Sequence, residues 1–149
     1  MDNTYDKLSR FCMYRERCIF EVKQKMYELE VKEEDQEKFI KQLQEERFLD
    51  EERYIKSYIN SKIYIKKWGR KKIMAELSIR KLDKKRVQHY MMESDDEVYI
   101  QNLTHLAEKK WATLYKKEPR EKKASLIRYM LGKGYEMDLV MDWLKTAPK

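Results

Sequence analysis

Hydrophobic positions recur three and four residues apart through almost the whole chain, the spacing of an amphipathic α-helix. Leu8, Phe11 and Cys12 share one stripe of a helix over 5–15, and Ile19, Val22, Met26 and Leu29 one stripe of a helix over 19–29. Lys32-Glu33-Glu34-Asp35 opens a third helix, with acids at its positive end and Phe39, Ile40 and Leu43 facing inward, ending near Arg47. Asp50 is a good N-cap for a helix over 50–67, whose packed side comprises Ile55, Tyr58, Ile59, Ile63 and Ile65, and Trp68-Gly69 supplies the stop. Further helices follow over 70–81 (Ile73, Leu77), 83–92 (Val87, Tyr90, Met91), 95–115, 119–132 and 137–145. Pro119 suits a first helical turn, and Gly132 and Gly134 end that helix.

The pattern repeats. Val22, Ile73 and Leu126 align, as do Met26, Leu77 and Met130, then Val31, Leu82 and Tyr135, then Phe39, Tyr90 and Trp143, then Ile40, Met91 and Leu144. Every triplet keeps offsets of 51 and 53. The expected fold is therefore all-α: an elongated array of three tandem three-helix, helix-turn-helix-like repeats over 1–47, 48–92 and 93–149. Gln36 stands where Val87 and Val140 stand, so the first repeat should be the loosest.

Several segments resemble the RecX family. They are Leu49-Asp50-Glu51-Glu52-Arg53-Tyr54, the basic residue and glycine at Lys67 and Gly69, and Arg70-Lys71-Lys72-Ile73 with Glu76-Leu77. Upstream, Arg15-Glu16-Arg17-Cys18 with Glu21-Val22 is similar to the family's first-repeat motif, with Cys18 in place of the usual serine; Ile55 stands for a customary alanine. The resemblance implies a modulator that binds the RecA recombinase filament and restrains it in recombination, repair and the SOS response.

Composition narrows the function classes. The 149 residues are 41% charged and 42% hydrophobic, with eleven tyrosines, which suits a folded chain with a thin core. No apolar run is long enough to span a membrane, and Asp2 and Asp6 replace the basic start of a leader, so a cytoplasmic protein with no membrane partner is expected. Cys12 and Cys18 are too few for a disulfide framework and lack companion zinc ligands, so reduced, partly buried thiols are expected. His89 and His105 fall in different repeats, and no phosphate loop or nucleophile motif occurs. Asp50, Glu51 and Glu52 could be imagined around a metal, but a helix N-terminus already accounts for them. The reading is a non-enzymatic protein with no cofactor and no metal; its oligomeric state is open, with a monomer favoured.

The charge is segregated. Residues 26–52 hold eleven acids against four bases, 53–89 thirteen bases against two acids, and 103–133 nine bases against three acids. The two basic blocks attract polyanions and steer encounter, while the acidic stretch from Glu33 to Glu46 could meet basic protein loops. Arg53, Lys56, Asn60, Tyr64 and Lys67 share one helical face offering basic groups around an aromatic ring; the alternative is a solvated face with a snorkelling tyrosine. Lys66, Lys67, Arg70, Lys71 and Lys72 crowd one tight turn and repel each other unless an anion offsets them. Trp68 between them reads as a core or hinge residue, or as a stacking platform. Lys122, Lys123 and Arg128 could continue the surface or serve solubility alone. The expected ligand is DNA, single- or double-stranded and without sequence preference. The rival is a helix-turn-helix transcription regulator reading bases with 70–81, a helix poor in Asn, Gln and Ser.

Overall fold

The computed structural model describes residues 3–148; Asp2, one of the two acids read against a leader, lies outside them. The described residues form α1 (Thr4–Tyr14), α2 (Ile19–Glu28), α3 (Glu33–Glu45), α4 (Glu51–Asn60), a π-turn (Ser61–Ile65), α5 (Arg70–Ile79), α6 (Lys84–Met92), α7 (Asp96–Ala112), α8 (Pro119–Gly132) and α9 (Met137–Thr146), with no strand. The main helix pairings fall within α1–α3, within α4–α6 and within α7–α9. Each trio encloses its own core, built on Leu8, Val22 and Met26 in the first, Ile55, Ile73 and Leu77 in the second, and Tyr99, Leu126 and Met130 in the third. No helix among the described residues is long and apolar enough to cross a membrane.

The aligned triplets turn out to mark a repeated backbone device. The middle helix of each trio ends with a residue in the left-handed region: Glu30 (φ 58°), Lys81 (φ 57°) and Gly134 (φ 96°). The next amide then reaches back to the last helical turn: Val31 N–H donates to Met26 O (2.9 Å), Leu82 to Leu77 O (3.4 Å) and Tyr135 to Met130 O (3.1 Å). This is the Schellman cap with its usual apolar contact. The apolar pairs Met26/Val31, Leu77/Leu82 and Met130/Tyr135 are thus the two ends of one cap, used three times.

Two expectations change. The helix expected to run unbroken over 50–67 converts after Asn60 to the π-turn, where Lys66 N–H bonds Ser61 O at 3.1 Å. An uninterrupted α-helix would return Ile65 to the stripe of Tyr58, seven residues earlier. The wider turn breaks that phase, and Ile65 is 74% exposed instead of packed. Gly69, in turn, is not where the chain reverses. Lys67 takes the left-handed conformation (φ 57°), while Gly69 is the N-cap of α5 with ordinary φ.

The trios share residues across their borders. Leu49 seals the first core although it follows the 47/48 division, and Cys18, from before α2, is fully buried in the second. Glu51 on α4 accepts a hydrogen bond from Ile19 N–H (2.9 Å), capping α2 from the neighbouring trio. Cys18 itself is the N-cap of α2, and its amide donates to Glu21 Oε1 at 3.2 Å, so the cysteine holds the position of a capping serine.

Candidate functional site

The turn between α4 and α5 gathers the cations that the charge pattern singled out, and it does so around Trp68. The indole is partly buried against the second core, with Tyr58 meeting it edge-on at 6.5 Å. Lys72 Nζ lies 4.2 Å from its ring and Lys62 Nζ 4.6 Å, so two ammonium groups share one indole. Lys62 also stands 5.1 Å from Tyr58, and the Arg80 guanidinium lies 5.2 Å from that same ring while bonding Glu76 O at 2.8 Å. A ribbon of alternating aromatic faces and cations results. Partial burial, then the like charges of Lys66, Arg80 and Arg15, hold the Lys62 ammonium below the ordinary lysine pKa. An approaching anion would relieve that repulsion. Lys66 and Lys71 are exposed, and Lys66, Lys67, Lys71 and Lys72 make no ion pair with a carboxylate among the described residues.

Arg70 belongs to the same turn but not to the same surface. Its guanidinium bonds Asp96 (2.6 Å) and Glu136 (3.3 Å) and stacks 3.8 Å over the Tyr99 ring, while its amide donates to Tyr99 Oη at 2.8 Å. Tyr99 donates in turn to Glu136, and burial with that carboxylate raises its pKa well above the usual phenol range. Arg70 therefore clamps the second trio to the third, and its guanidinium, suggested by the sequence as a phosphate ligand, is engaged by two carboxylates in the free protein. Arg53 is engaged likewise: its Nε donates to Glu16 (2.6 Å) and its other arm to Arg47 O (3.1 Å), tying the second trio to the first. Lys56 is exposed but paired with Glu52 (3.2 Å) and set over Tyr90 (4.9 Å). Tyr64 is 43% exposed and accepts from Asp95 N–H at 3.2 Å.

The third trio contributes less directly. Lys122 Nζ covers Trp111 at 4.2 Å, Lys123 is exposed, and Arg128 donates to Ser125 Oγ at 3.2 Å. Lys123 lies ten residues before Lys133, about 15 Å along α8. Lys133 reaches the central turn, since its carbonyl accepts from Gly69 N–H at 2.7 Å. Lys62, Arg80 and Lys133 were missed by sequence reasoning. Lys62 gave no signal because its position depends on the π-turn; Lys133, beside Gly134 and one residue before the left-handed cap, gave one only through the repeat register.

A family model for the RecX second three-helix domain matches residues 50–89, and one for the RecX third three-helix domain matches 97–144. The chain belongs to the RecX family. A curated relative, "Regulatory protein RecX" of Leuconostoc mesenteroides subsp. mesenteroides, is 32% identical over 130 residues, covering 81% of this chain and 45% of that protein. The chain thus spans less than half the length of the curated relative it matches. Two solved RecX structures share the fold. The crystal structure of RecX from Lactobacillus salivarius superposes with TM-score 0.84 at 21% identity, over 95% of this chain and 92% of that one. A second, a crystal structure of regulatory protein RecX, gives TM-score 0.86 at 20% identity, over 96% of this chain and 70% of that one. Within this RecX-family chain, the matched second domain contains the Trp68 ribbon, and the matched third contains Glu136, one of the two acids that clamp Arg70.

Proposed function

We propose that this chain is a non-enzymatic regulator of the RecA recombinase filament, lying along it and meeting the phosphates of its nucleic acid with the Trp68 surface. The family supplies the regulatory role. The observation that carries the contact is that Lys62 and Lys72 cover Trp68 while Lys66, Lys67 and Lys71 lie in the same turn, none of the five with an ion-paired carboxylate among the described residues. Such an arrangement favours a backbone polyanion without sequence preference. A linear array of small helical units suits an elongated target.

The helix-turn-helix regulator is less well supported. Recognition helices read bases with their first turn, yet in the first turn of α5 Arg70 is held by Asp96 and Glu136, which leaves Lys71 and Lys72, side chains suited to phosphates more than to base edges. The test is DNA strand exchange by the cognate recombinase with and without this protein. Inhibition abolished on replacing Lys66, Lys71 and Lys72 with glutamate supports the reading; strand exchange indifferent to the wild-type protein overturns it.

A further inference from the structure

A second cationic groove lies far from Trp68 in sequence, between α1 and α2. Lys7, Arg10, Phe11 and Tyr14 of α1, Arg17 of the connection, and Lys25 and Leu29 at α2 line it. It is an open cleft of about 390 Å³, within the roughly 300–1,000 Å³ of small-molecule sites. Four cations and no carboxylate face it.

Arg17 is the unusual member. Only 8% of the residue is exposed, and that part faces the cleft. Its Nε donates to Phe11 O (2.9 Å) and its guanidinium carbon lies 3.7 Å from the Phe11 ring centroid, but it makes no ion pair with a carboxylate among the described residues. The nearby acids are engaged elsewhere: Glu21 with Arg15 and the Cys18 amide, Glu16 with Arg53. Burial, then Arg15, depresses the Arg17 pKa, with the Glu21 carboxylate opposing them in part. A buried cation whose nearest carboxylate is shared with other donors and not paired with it directly is stabilised further by an anion that meets it. Lys7 and Arg10 add two exposed cations, Lys25 stands 5.6 Å from the Phe11 ring and pairs with Glu28 at 3.4 Å, and Tyr14 is 84% exposed at the rim. Arg17 lies 5.9 Å from the Tyr14 ring, so phosphate and aromatic recognition fall side by side.

We propose that this groove binds a nucleotide, its phosphate held by Arg17, Lys7 and Arg10 and its base stacked on Tyr14. The shared chemistry is a phosphate ester beside an unpaired base, supplied either by a free nucleotide or by a nucleotide within a single strand. The site uses other residues than the Trp68 surface, with Arg15 between the two, and does not depend on the reading given to that surface.

The test titrates the full chain with inorganic phosphate, AMP, an oligodeoxythymidylate and, as a charge-only control, an oligoglutamate peptide. Replacing exposed Lys7 and Arg10 with glutamate is expected to weaken AMP or the oligonucleotide about tenfold or more, as charge-assisted hydrogen bonds disappear. If the oligonucleotide is the ligand, its log–log salt slope should also fall by about 0.7 per phosphate released. Tyr14→Ala should weaken AMP or the oligonucleotide and leave inorganic phosphate unchanged. Binding of AMP identifies the free ligand, and binding of the oligonucleotide alone identifies the strand; either supports the site. Unaltered binding in both variants overturns it, as does an oligoglutamate that competes as well as AMP. Loss of all binding on changing Lys66, Lys71 and Lys72 alone would also overturn this site while sparing the Trp68 surface. The reverse pattern would sustain this site and remove that one.

Discussion

Gly69 and Gly134 meet backbone to backbone. A Cβ on Gly69 would fall 2.1 Å from Gly134 C, and one on Gly134 would fall 2.4 Å from Lys72 Cβ. The approach is fixed by Gly69 N–H donating to Lys133 O (2.7 Å) and Lys71 N–H to Gly134 O (3.0 Å), and Tyr135 Oη donates to Lys67 O at 2.8 Å beside it. Two glycines 65 residues apart thus set how closely the second and third trios approach, and with it where Lys133 stands relative to the lysines of the turn.

Gly69→Ala is therefore expected to be destabilising at the upper end of the about 1–3 kcal/mol usual for overpacking, because backbone and not a flexible side chain must move. Gly132, with nothing within 4 Å of its Cβ position and a place at the helix end, is the control. Gly132→Ala should be neutral or stabilising by about 0.5–1 kcal/mol. Denaturant titrations of the two variants check the pair, and equal stabilities would contradict the role given to Gly69.

Gln36 offers the opposite case. It is 4% exposed in the first trio, its amide nitrogen has no hydrogen-bond partner among the described residues, and Val87 and Val140 hold the corresponding places in the other trios at 2% and 1% exposure. An unsatisfied buried donor costs about 1–3 kcal/mol. Gln36→Val should raise the melting temperature by several degrees, with the helical signal unchanged. A lower melting temperature would mean that the first trio does not share the register of the others.

The helices and their register were legible because periodicity and caps are local: Asp50, Asp83 and Asp95 each accept from an amide within the next three residues, as their sequence positions suggest. The partners of Arg53 and Arg70 were not. Glu16 lies 37 residues from Arg53, and Asp96 and Glu136 lie 26 and 66 from Arg70, so a block count of charge cannot pair them. The π-turn was equally hidden. Its phase is settled by fully buried Ile63, whose carbonyl accepts from the buried Asn102 amide at 2.8 Å across the trio border. That phase determines that Lys62 meets Trp68 and that Ile65 faces outward.

Cys12 and Cys18 are free and buried, and burial pushes each thiol from its ordinary value of 9.0 up to about 11. The folded state thus holds these protons more tightly than the unfolded chain. The resulting stability is complete below pH 9 and is lost as pH rises from 9 through 11. The loss is roughly 2–3 kcal/mol per thiol. A Cys12→Ala/Cys18→Ala variant should lose less stability than wild type over that window, measured by urea denaturation at several pH values. Parallel losses would show that the thiols do not titrate as buried groups. Both thiols should also resist alkylation at neutral pH in the folded protein.

The Trp68 surface sets binding against stability, and the two can be separated. Lys62 is held below its ordinary pKa partly by Lys66, so the lysines of the turn repel each other in the free protein. Replacing Lys66, Lys71 and Lys72 with glutamate removes that repulsion and adds attraction to Lys62 and Arg80. The triple variant should therefore melt at or above the wild-type temperature at low salt, with the difference fading as salt screens it. It should meanwhile bind oligonucleotide more weakly, and its log–log salt slope should drop by about 0.7 for each phosphate no longer neutralised on a single strand, or about 0.9 on duplex. Trp68→Ala separates stacking from charge. It removes the ring that both Lys62 and Lys72 cover, so it should weaken binding while leaving the positive charge, and hence most of the salt slope, in place. A triple variant that melts lower yet binds with an unchanged slope would make these lysines structural and leave the acidic helix α3 as the surface to test for the proposed contact.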